Sequence, residues 1–228
     1  MSAHVITAKP YKGLGMEGPI ARWYASLTKQ SLEDFTALAR RTAEQIPSRS
    51  SVLEVAPGPG YFAIELAKLG NYQISGLDIS ETFVGIARAN AAKAGANVDF
   101  RRGNASNMPF GNESFDFLLC RAAFKNFSEP QRALEEMHRV LKSGGQALII
   151  DLRRDAPQES INQAINDMHL GTVNGILTKL TFRFMLLKRA YTKSEFEHMI
   201  SRTKFSSMKI QENLMGFEIL LSRDRKTA

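Results

Sequence analysis

The sequence predicts an α/β fold with a seven-stranded, mostly parallel sheet and helices on both of its faces. Two observations predict this class. Between residues 51 and 152, five apolar, strand-like runs are separated by turn residues and by segments of helical periodicity, as in a covered parallel sheet. Near the C-terminus, two further runs flank a short polar turn, which suits an antiparallel hairpin added to the sheet edge.

The strands are identified as short apolar runs that end at glycine, proline or other turn residues. The first run breaks at Gly58-Pro59-Gly60 and passes directly into a helical pattern that ends near Gly70. In chain order, the predicted strands are 51–56, 73–77, 97–101, 115–120, 146–152, 205–211 and 217–222.

The helices between these strands are delimited by capping residues. Ser80 is the predicted N-cap of a helix over 83–94, which stops at Gly95. Glu129-Pro130 opens the next helix, and the run 142–145, which contains Gly144-Gly145, ends it directly before the fifth strand.

Helical patterns also lie outside this alternating core. Residues 19–46 form an N-terminal helical region, and apolar residues at helical spacing over 157–190 predict a pair of inserted helices above the sheet. Thr192, with Glu195 as the acid of a capping box, begins a last helix that reaches Arg202. The apolar face predicted for the first N-terminal helix consists of Ile20, Trp23, Tyr24 and Leu27.

We therefore expect a single domain made of four segments. N-terminal helices that form a lid occupy 1–50, and the alternating core occupies 51–152. An inserted helical cap follows over 153–190, and the final helix with the edge hairpin fills 191–228.

Composition limits the possible classes of protein. The chain has 228 residues, of which 43% are hydrophobic and 23% charged, so one well-packed core is expected. No apolar run approaches the roughly 20 residues of a membrane span, and the first residues lack a signal-peptide core, which predicts a cytoplasmic location. Cys120 is the only cysteine, which excludes an internal disulfide and a multi-thiolate metal site, and we predict no metal.

The formal net charge of +7 is concentrated in one segment. Between Lys179 and Lys204 lie seven basic residues and two acidic ones. Such a patch attracts an acidic small molecule, RNA or an anionic membrane surface, whereas the simplest interpretation is a solvated helix face.

The turn after the first strand points to a nucleotide-derived ligand. Strand, glycine turn and helix together bring backbone N–H groups and a helix N-terminus close to such a ligand. The run from Gly58 to Ala63 fits the dinucleotide pattern, and Asp78 lies where a ribose-binding acid is expected, so an NAD enzyme is one interpretation. Glu54 disfavours it, because an acid so close to the turn repels a pyrophosphate but suits a cationic cofactor.

Four motifs, taken together, resemble the class I S-adenosylmethionine (SAM)-dependent methyltransferases, especially the ubiquinone/menaquinone-biosynthesis and small-molecule branch. The resemblance runs from about residue 51 to 152 and implies a Rossmann-like fold with SAM as the cofactor. The motifs are Leu53-Glu54-Val55-Ala56-Pro57-Gly58-Pro59-Gly60, Gly76-Leu77-Asp78-Ile79-Ser80, Gly103-Asn104-Ala105 with Met108-Pro109-Phe110, and Arg139-Val140-Leu141-Lys142-Ser143-Gly144-Gly145.

The resemblance implies a role for each matching residue. Asp78 would accept both ribose hydroxyls, and Arg121 would border the reactive end. The residues that would surround the methionine part are Glu54, Ala56, Gly58 and Gly60, and those beside the adenine are Ile79, Asn104 and Ala105. The chain departs from the family pattern at Ala56, Pro59 and Asn104, where glycine, a backbone donor and aspartate are usual.

Few side chains are candidates for a base or for holding the acceptor. Because a sulfonium methyl is already electrophilic, such an enzyme mainly aligns the acceptor and excludes water, and a base is needed only if a proton must leave. The weak candidates are Arg121, Lys125 and His169, although a solvated Lys125 fits the sequence equally well and a structural role fits His169 better. His138 and His198 are predicted to be surface residues.

The N-terminal region supplies candidates for a roof over the acceptor. Met16, Trp23 and Tyr24 form part of it in this interpretation, and Tyr11 and Tyr24 would reach SAM, as N-terminal tyrosines do in similar enzymes. Three glycines between Gly13 and Gly18 are typical of a mobile entrance segment.

The sequence therefore predicts a SAM-dependent methyltransferase that acts on a small, partly apolar acceptor. No Asn/Asp-Pro-Pro-Tyr/Phe motif follows the fourth strand, which disfavours adenine and glutamine-amide methylation, and Cys120 is predicted to pack as a small hydrophobe. An RNA methyltransferase, a SAM-binding regulator without catalysis and an NAD oxidoreductase remain alternatives. The acceptor, the methylated atom and the oligomeric state stay open.

Overall fold

The structure is a computed structural model that describes residues 11–12, 15–167 and 187–225. The second predicted cap helix and the candidate His169 lie outside the described residues, as do Gly13 and residues 179–186 of the basic segment. In chain order, the helices are α1 (Gly18–Thr28), α2 (Leu32–Gln45), α3 (Tyr61–Ala67), α4 (Glu81–Ala94), α5 (Pro130–Val140), α6 (Gln158–Asp167) and α7 (Lys193–Ser201). The strands are β1 (Ser51–Val55), β2 (Gln73–Asp78), β3 (Val98–Arg102), β4 (Phe115–Arg121), β5 (Leu141–Leu152), β6 (Ser207–Glu212) and β7 (Gly216–Ser222).

The seven strands form one sheet in the order β3-β2-β1-β4-β5-β7-β6. Strands β1 to β5 pair in parallel, and β7 is antiparallel to both β5 and β6. This arrangement confirms the predicted mostly parallel sheet with an antiparallel C-terminal hairpin.

Helices cover both faces of the sheet. Successive side chains of a strand point to opposite faces, so each central strand packs against both layers of helices. In β4, Phe117 and Leu119 pack into the cluster that includes residues of α2, α3 and α4. Leu118 and Cys120 pack into the cluster that includes residues of α5 and α7. Each face of the sheet is therefore buried by its own layer of helices.

The capping signals predicted the helix ends correctly. Ser80 Oγ accepts a hydrogen bond from the Phe83 N–H over 3.1 Å, and Gly95 ends α4 with φ +65°. Thr192 and Glu195 form both bonds of the predicted capping box at the start of α7.

The start of β5 differs from the prediction. We predicted that residues 142–145 end the helix and precede the strand, whereas β5 already begins at Leu141, opposite Phe115. The register then shifts, so that Phe117 is paired with Gln146. A Cβ on Gly145 would lie 3.0 Å from the Asp116 carbonyl oxygen, so the close approach of β4 and β5 at this irregularity requires glycine.

The predicted apolar face of α1 is largely exposed in the structure. Ile20, Trp23 and Leu27 are 45%, 64% and 47% exposed. The buried side of the helix consists instead of Ala21 and Ala25, which pack against Phe83 of α4. Small residues allow α1 to lie close to α4, and this contact decides which side faces inward. Among the described residues, no helix is long and apolar enough to cross a membrane.

Candidate functional site

The carboxyl ends of β1, β2 and β4 lie side by side, at the edge of the sheet where the parallel strands end rather than along an outer strand. β2 and β3 lie on one side of β1, whereas β4 and β5 lie on the other, so the strand order reverses between β1 and β4. Open α/β sheets bind ligands in the crevice at such a point. Glu54 lies one residue before the end of β1, and Asp78 and Arg121 end β2 and β4. The fold thus brings three predicted site residues together.

The turn between β1 and α3 is held in an unusual backbone conformation. Ala56, Gly58 and Gly60 have φ values of +57°, +55° and +79°, which favour glycine. A Cβ at Gly60 would lie 2.6 Å from the ring of Phe100, so that glycine is required for packing. A Cβ at Gly58 would meet nothing within 4 Å, so Gly58 faces open space that a ligand can enter.

Asp78 is buried beside this turn. Its Oδ2 accepts a hydrogen bond from the Gly58 N–H over 3.0 Å, and its Oδ1 accepts one from the Ser80 N–H over 2.9 Å. Burial raises the pKa of Asp78 to about 6, although these hydrogen bonds favour the charged form. Each carboxylate oxygen retains a further lone pair that can accept a hydroxyl hydrogen.

Glu54 is a second buried carboxyl group, 3% exposed. Its Oε2 accepts a hydrogen bond from the Ala63 N–H in the first turn of α3, over 3.1 Å. Burial raises the pKa of Glu54 to about 8, and the positive charge of Arg121 opposes that increase. The group is therefore mostly protonated at neutral pH, and an approaching cation would favour its ionised form.

The predicted adenine-side residues lie at the end of β2 and just after β3. Ile79 is half-buried, and Ala105 is buried. The side-chain oxygen of Asn104 accepts a hydrogen bond from the Ser106 N–H over 2.9 Å, as in an ordinary turn. The role of all three residues at an adenine ring stays a prediction.

The segment before α1 is attached to the start of α4. The Met16 carbonyl accepts a hydrogen bond from Ser80 Oγ over 2.6 Å. Glu17 accepts from the backbone N–H groups of Glu81 and Thr82, each over 3.0 Å, and thereby caps α4. Met16, Glu17 and Gly18 are thus bonded to the start of α4, and the mobility predicted for the glycine-rich segment stays a prediction.

Two tyrosines approach the same edge of the sheet. Tyr24 of α1 packs edge-on against Phe83, with ring centroids 5.9 Å apart. Burial raises the pKa of Tyr24, and nearby Arg121 opposes the shift. Burial also raises the pKa of Tyr11; the charge of Arg189 opposes this shift, and that of Asp78 adds to it. Both phenols are therefore protonated at neutral pH and can donate a hydrogen bond.

Arg121 is the last residue of β4 and Lys125 lies in the loop that follows, yet the two side chains have different environments. The guanidinium of Arg121 lies 4.3 Å from the ring centroid of Phe35 and is half-buried. Lys125 is buried, and its ammonium donates to Asp151 Oδ1 over 2.8 Å and to the Ala122 carbonyl over 2.5 Å. The alternative of a solvated Lys125 is wrong.

The remaining candidates lie away from this edge or outside the described residues. His138 is half-buried against Phe205, with ring centroids 5.1 Å apart, rather than at the surface as predicted. His198 is exposed, and Cys120 is fully buried in the core, as predicted. Burial raises the pKa of Cys120 well above its ordinary value, which makes it a poor nucleophile.

Sequence reasoning missed the buried partner of Lys125. Asp151 lies 26 residues further along the chain, in β5. A lone aspartate after the apolar run 147–150 was the available signal, because a buried acid requires a partner. Sequence reasoning likewise missed Glu17 as a cap, since its helix begins 64 residues later.

This geometry agrees with the comparison with known proteins. Residues 53–149 match the family model of a methyltransferase domain, and this stretch contains Glu54, the glycine turn, Asp78 and Arg121. The chain carries a class I SAM-dependent methyltransferase domain. SAM is the cofactor of this class, and the open turn between two buried carboxyl groups fits it.

Relatives of this methyltransferase domain include two bacterial enzymes named demethylmenaquinone methyltransferase. That of Chlorobaculum parvum is 30% identical over 155 residues, which cover 67% of this chain and 61% of the relative. That of Chlorobaculum tepidum is 33% identical over 135 residues, which cover 58% and 54%. The chain thus spans less than two thirds of the length of either relative.

Solved structures support the fold of this methyltransferase domain. A protein of Methanococcus maripaludis proposed to be a SAM-dependent methyltransferase superposes with a TM-score of 0.75 at 20% identity, covering 97% of this chain and all of that one. A SAM-dependent methyltransferase of Aquifex aeolicus gives 0.65 at 18% identity, covering 89% and 96%. At these identities the likeness concerns the fold alone.

Proposed function

We propose that this chain transfers the methyl group of SAM to a small, partly apolar acceptor. The observation that carries the proposal is the arrangement of Glu54 and Asp78, two buried carboxyl groups on either side of the open Gly58 turn. The arrangement lies at the point where the strand order reverses, which is the expected ligand crevice.

The residues of the crevice suit the parts of SAM. Asp78 has free lone pairs for the ribose hydroxyls, and the Gly58 backbone leaves room for the amino-acid part. Glu54 becomes charged when a cation approaches, and it would hold the ammonium or face the sulfonium. Ile79 and Ala105 would contact the adenine. When bound, SAM supplies a methyl group that is already electrophilic.

The acceptor end of the site lies toward β4 and α1. Tyr11 and Tyr24 are protonated donors, so among the described residues this end offers cations and donors rather than a base. Arg121 would orient an acceptor oxygen and stabilise its negative charge. This environment favours an acceptor that is itself nucleophilic, such as an enolate or a phenolate.

A reduced quinone is the first acceptor to test. A hydroquinone ionises to a phenolate that is nucleophilic at ring carbon and at oxygen, and its ring and side chain are apolar. The names of the Chlorobaculum relatives support the same class. The shared stretch covers only part of those relatives, so the acceptor belongs to the proposal.

The test combines cofactor binding with product analysis. Purified protein is incubated with SAM and a chemically reduced, demethylated naphthoquinone that carries a short isoprenoid chain, and the products are identified by mass spectrometry. We expect a singly methylated product that requires both protein and reductant, and that decreases in Asp78→Ala when SAM is limiting. Binding of SAM without any methylated product, across this and other phenolic acceptors, would contradict the proposed activity.

A further inference from the structure

The loop after β4 contains backbone strain directly beside Arg121. The next residue, Ala122, has φ +57°, a left-handed conformation that is unfavourable for alanine. The side chain of Ala122 is exposed, so packing of its methyl group does not impose the conformation. Strain of this kind persists only where the surroundings over-determine it, and it is concentrated at functional sites.

Two hydrogen bonds to its backbone hold Ala122 in this conformation. Its N–H donates to the Ile150 carbonyl over 2.7 Å, and its own carbonyl accepts from Lys125 Nζ over 2.5 Å. The ammonium of Lys125 is fixed in turn by Asp151 Oδ1 at 2.8 Å. Asp151 also accepts from the backbone N–H groups of Lys125 and Leu152, over 2.9 Å and 2.8 Å.

The Lys125–Asp151 pair is almost completely excluded from water. The two side chains are 4% and 1% exposed. Desolvation of a buried pair offsets most of the mutual attraction, so such a pair adds little net stability. Its main effect here is geometric, because two hydrogen bonds from Lys125 to Asp151 join the loop after β4 to the end of β5.

The same loop also holds the N-terminal segment. The Lys12 N–H donates to the Asn126 carbonyl over 2.8 Å, and Tyr11 forms an antiparallel bridge with Phe127. The phenol of Tyr11 is close enough to Asp78 to feel its charge. The position of the loop therefore determines where Tyr11 lies relative to the cofactor carboxylate.

We propose that Lys125 and Asp151 are positioning residues, which fix Arg121 and the Tyr11–Lys12 segment at the acceptor end of the site. This inference rests on the methyltransferase function proposed above. Neither residue touches reacting atoms, and both act through the loop after β4.

The test compares Lys125→Met, Asp151→Asn and the double variant with wild-type protein. Because the glycine turn follows β1 and Asp78 ends β2, the Kd for SAM should change much less than the acceptor kinetics. Misplacement of the acceptor should lower the acceptor kcat/KM about ten- to a hundredfold. The double variant leaves no unpaired buried charge, and it carries the test if the single variants do not fold.

The matched control is Val140→Ala, which truncates a fully buried residue at the end of α5. It lowers the melting temperature without touching the loop, and its acceptor kcat/KM should be unchanged. The inference is overturned if the pair variants keep the wild-type kcat/KM. It is equally overturned if SAM affinity and turnover fall together in proportion to the loss of melting temperature.

Hydrogen exchange separates this inference from the proposed function. If wild-type protein binds SAM but methylates no acceptor, the proposed function fails while the role of the pair can still be measured. In the double variant, the amides of Lys12 and Ala122 should then exchange faster, whereas amides of β1 and β2 should not. Unchanged exchange at Lys12 and Ala122 would overturn the positioning role.

Discussion

Gly58 and Asp78 are separated by 20 residues, yet the Gly58 N–H donates a hydrogen bond to Asp78 Oδ2 over 3.0 Å. The bond joins the turn after β1 to the end of β2. The position of the backbone that faces the ligand and the position of the buried carboxylate therefore depend on each other. A change at either residue should therefore affect cofactor binding.

Replacement of Asp78 by alanine should weaken SAM binding by about 1.5–3 kcal/mol, because charged hydrogen bonds to the ribose are lost. Isothermal titration calorimetry measures the change. The control is Asp99→Ala, which removes an exposed aspartate of β3 whose partner is Arg101, and this variant should bind SAM normally. Unchanged affinity in Asp78→Ala would remove Asp78 from the site.

The glycines at 58 and 60 should respond differently to alanine, although both have positive φ. Gly60→Ala adds a clash with Phe100 to a backbone cost of about 1–2 kcal/mol, so it should strongly lower the melting temperature. Gly58→Ala carries only the backbone cost and places its methyl group in the ligand space. It should mainly reduce SAM affinity.

Thermal unfolding with and without SAM separates these two effects. For Gly58→Ala, we expect a modest loss of melting temperature and a large loss of the stabilisation by SAM. A Gly58→Ala variant that is stabilised by SAM as strongly as wild-type protein would show that the cofactor does not approach this turn.

Cofactor binding should release a proton from Glu54. Its pKa is raised to about 8 by burial, so the folded chain keeps this proton at neutral pH, where an unfolded chain has lost it. The contribution of Glu54 to the free energy of unfolding therefore falls as the pH rises from 4.5 to about 8. A bound cation stabilises the carboxylate and lowers the pKa, so SAM affinity should increase with pH up to about 8 and then level off.

Calorimetry in two buffers with different ionisation enthalpies measures this proton directly. At neutral pH we expect release of up to about one proton per bound SAM. Glu54→Gln keeps the size of the side chain and its acceptor for the Ala63 N–H, and it should abolish the release and flatten the pH profile. Equal proton release in the variant would mean that another group titrates.

Glu17 should stabilise the attachment of the N-terminal segment to α4. Burial alone would raise its pKa, but hydrogen bonds from Thr82 and Glu81 outweigh this and lower it. The stabilisation is therefore present above the ordinary value of 4.5 and is lost as the pH falls through the lower folded pKa. Glu17→Ala should cost about 1 kcal/mol at neutral pH, as loss of a helix cap does.

Chemical unfolding at neutral and acidic pH checks the role of Glu17. The difference between wild-type protein and Glu17→Ala should shrink as the pH is lowered. Glu33→Ala, which removes an exposed acid in the first turn of α2, is the control for loss of charge alone. A pH-independent difference would assign the effect to packing instead.

The order of the elements and the positions of the two carboxyl groups were predictable, because their signals are local. Hydrophobic periodicity and turn residues mark each strand, and a parallel sheet places the ends of its strands at one edge. Glu54 was identifiable from its position just before the glycine turn, and Asp78 from its position at the end of the second strand.

The register of β5 and the orientation of α1 were not predictable in this way. Periodicity shows that Trp23 and Leu27 share a face of α1, but not whether that face points inward. The contact of Ala21 with α4 decides this, because small side chains allow the closest approach of the two helices. The irregularity at Gly145 depends on the Asp116 carbonyl of a neighbouring strand.

The sequence by itself determined the fold class, the glycine turn and the cofactor class, since each depends on local residue patterns that follow one another along the chain. The tertiary structure alone decided that Lys125 is buried against Asp151, that Glu17 caps α4, and that burial shifts the pKa of Glu54. These features depend on partners far apart in the chain and on exclusion of water, which only the folded arrangement creates.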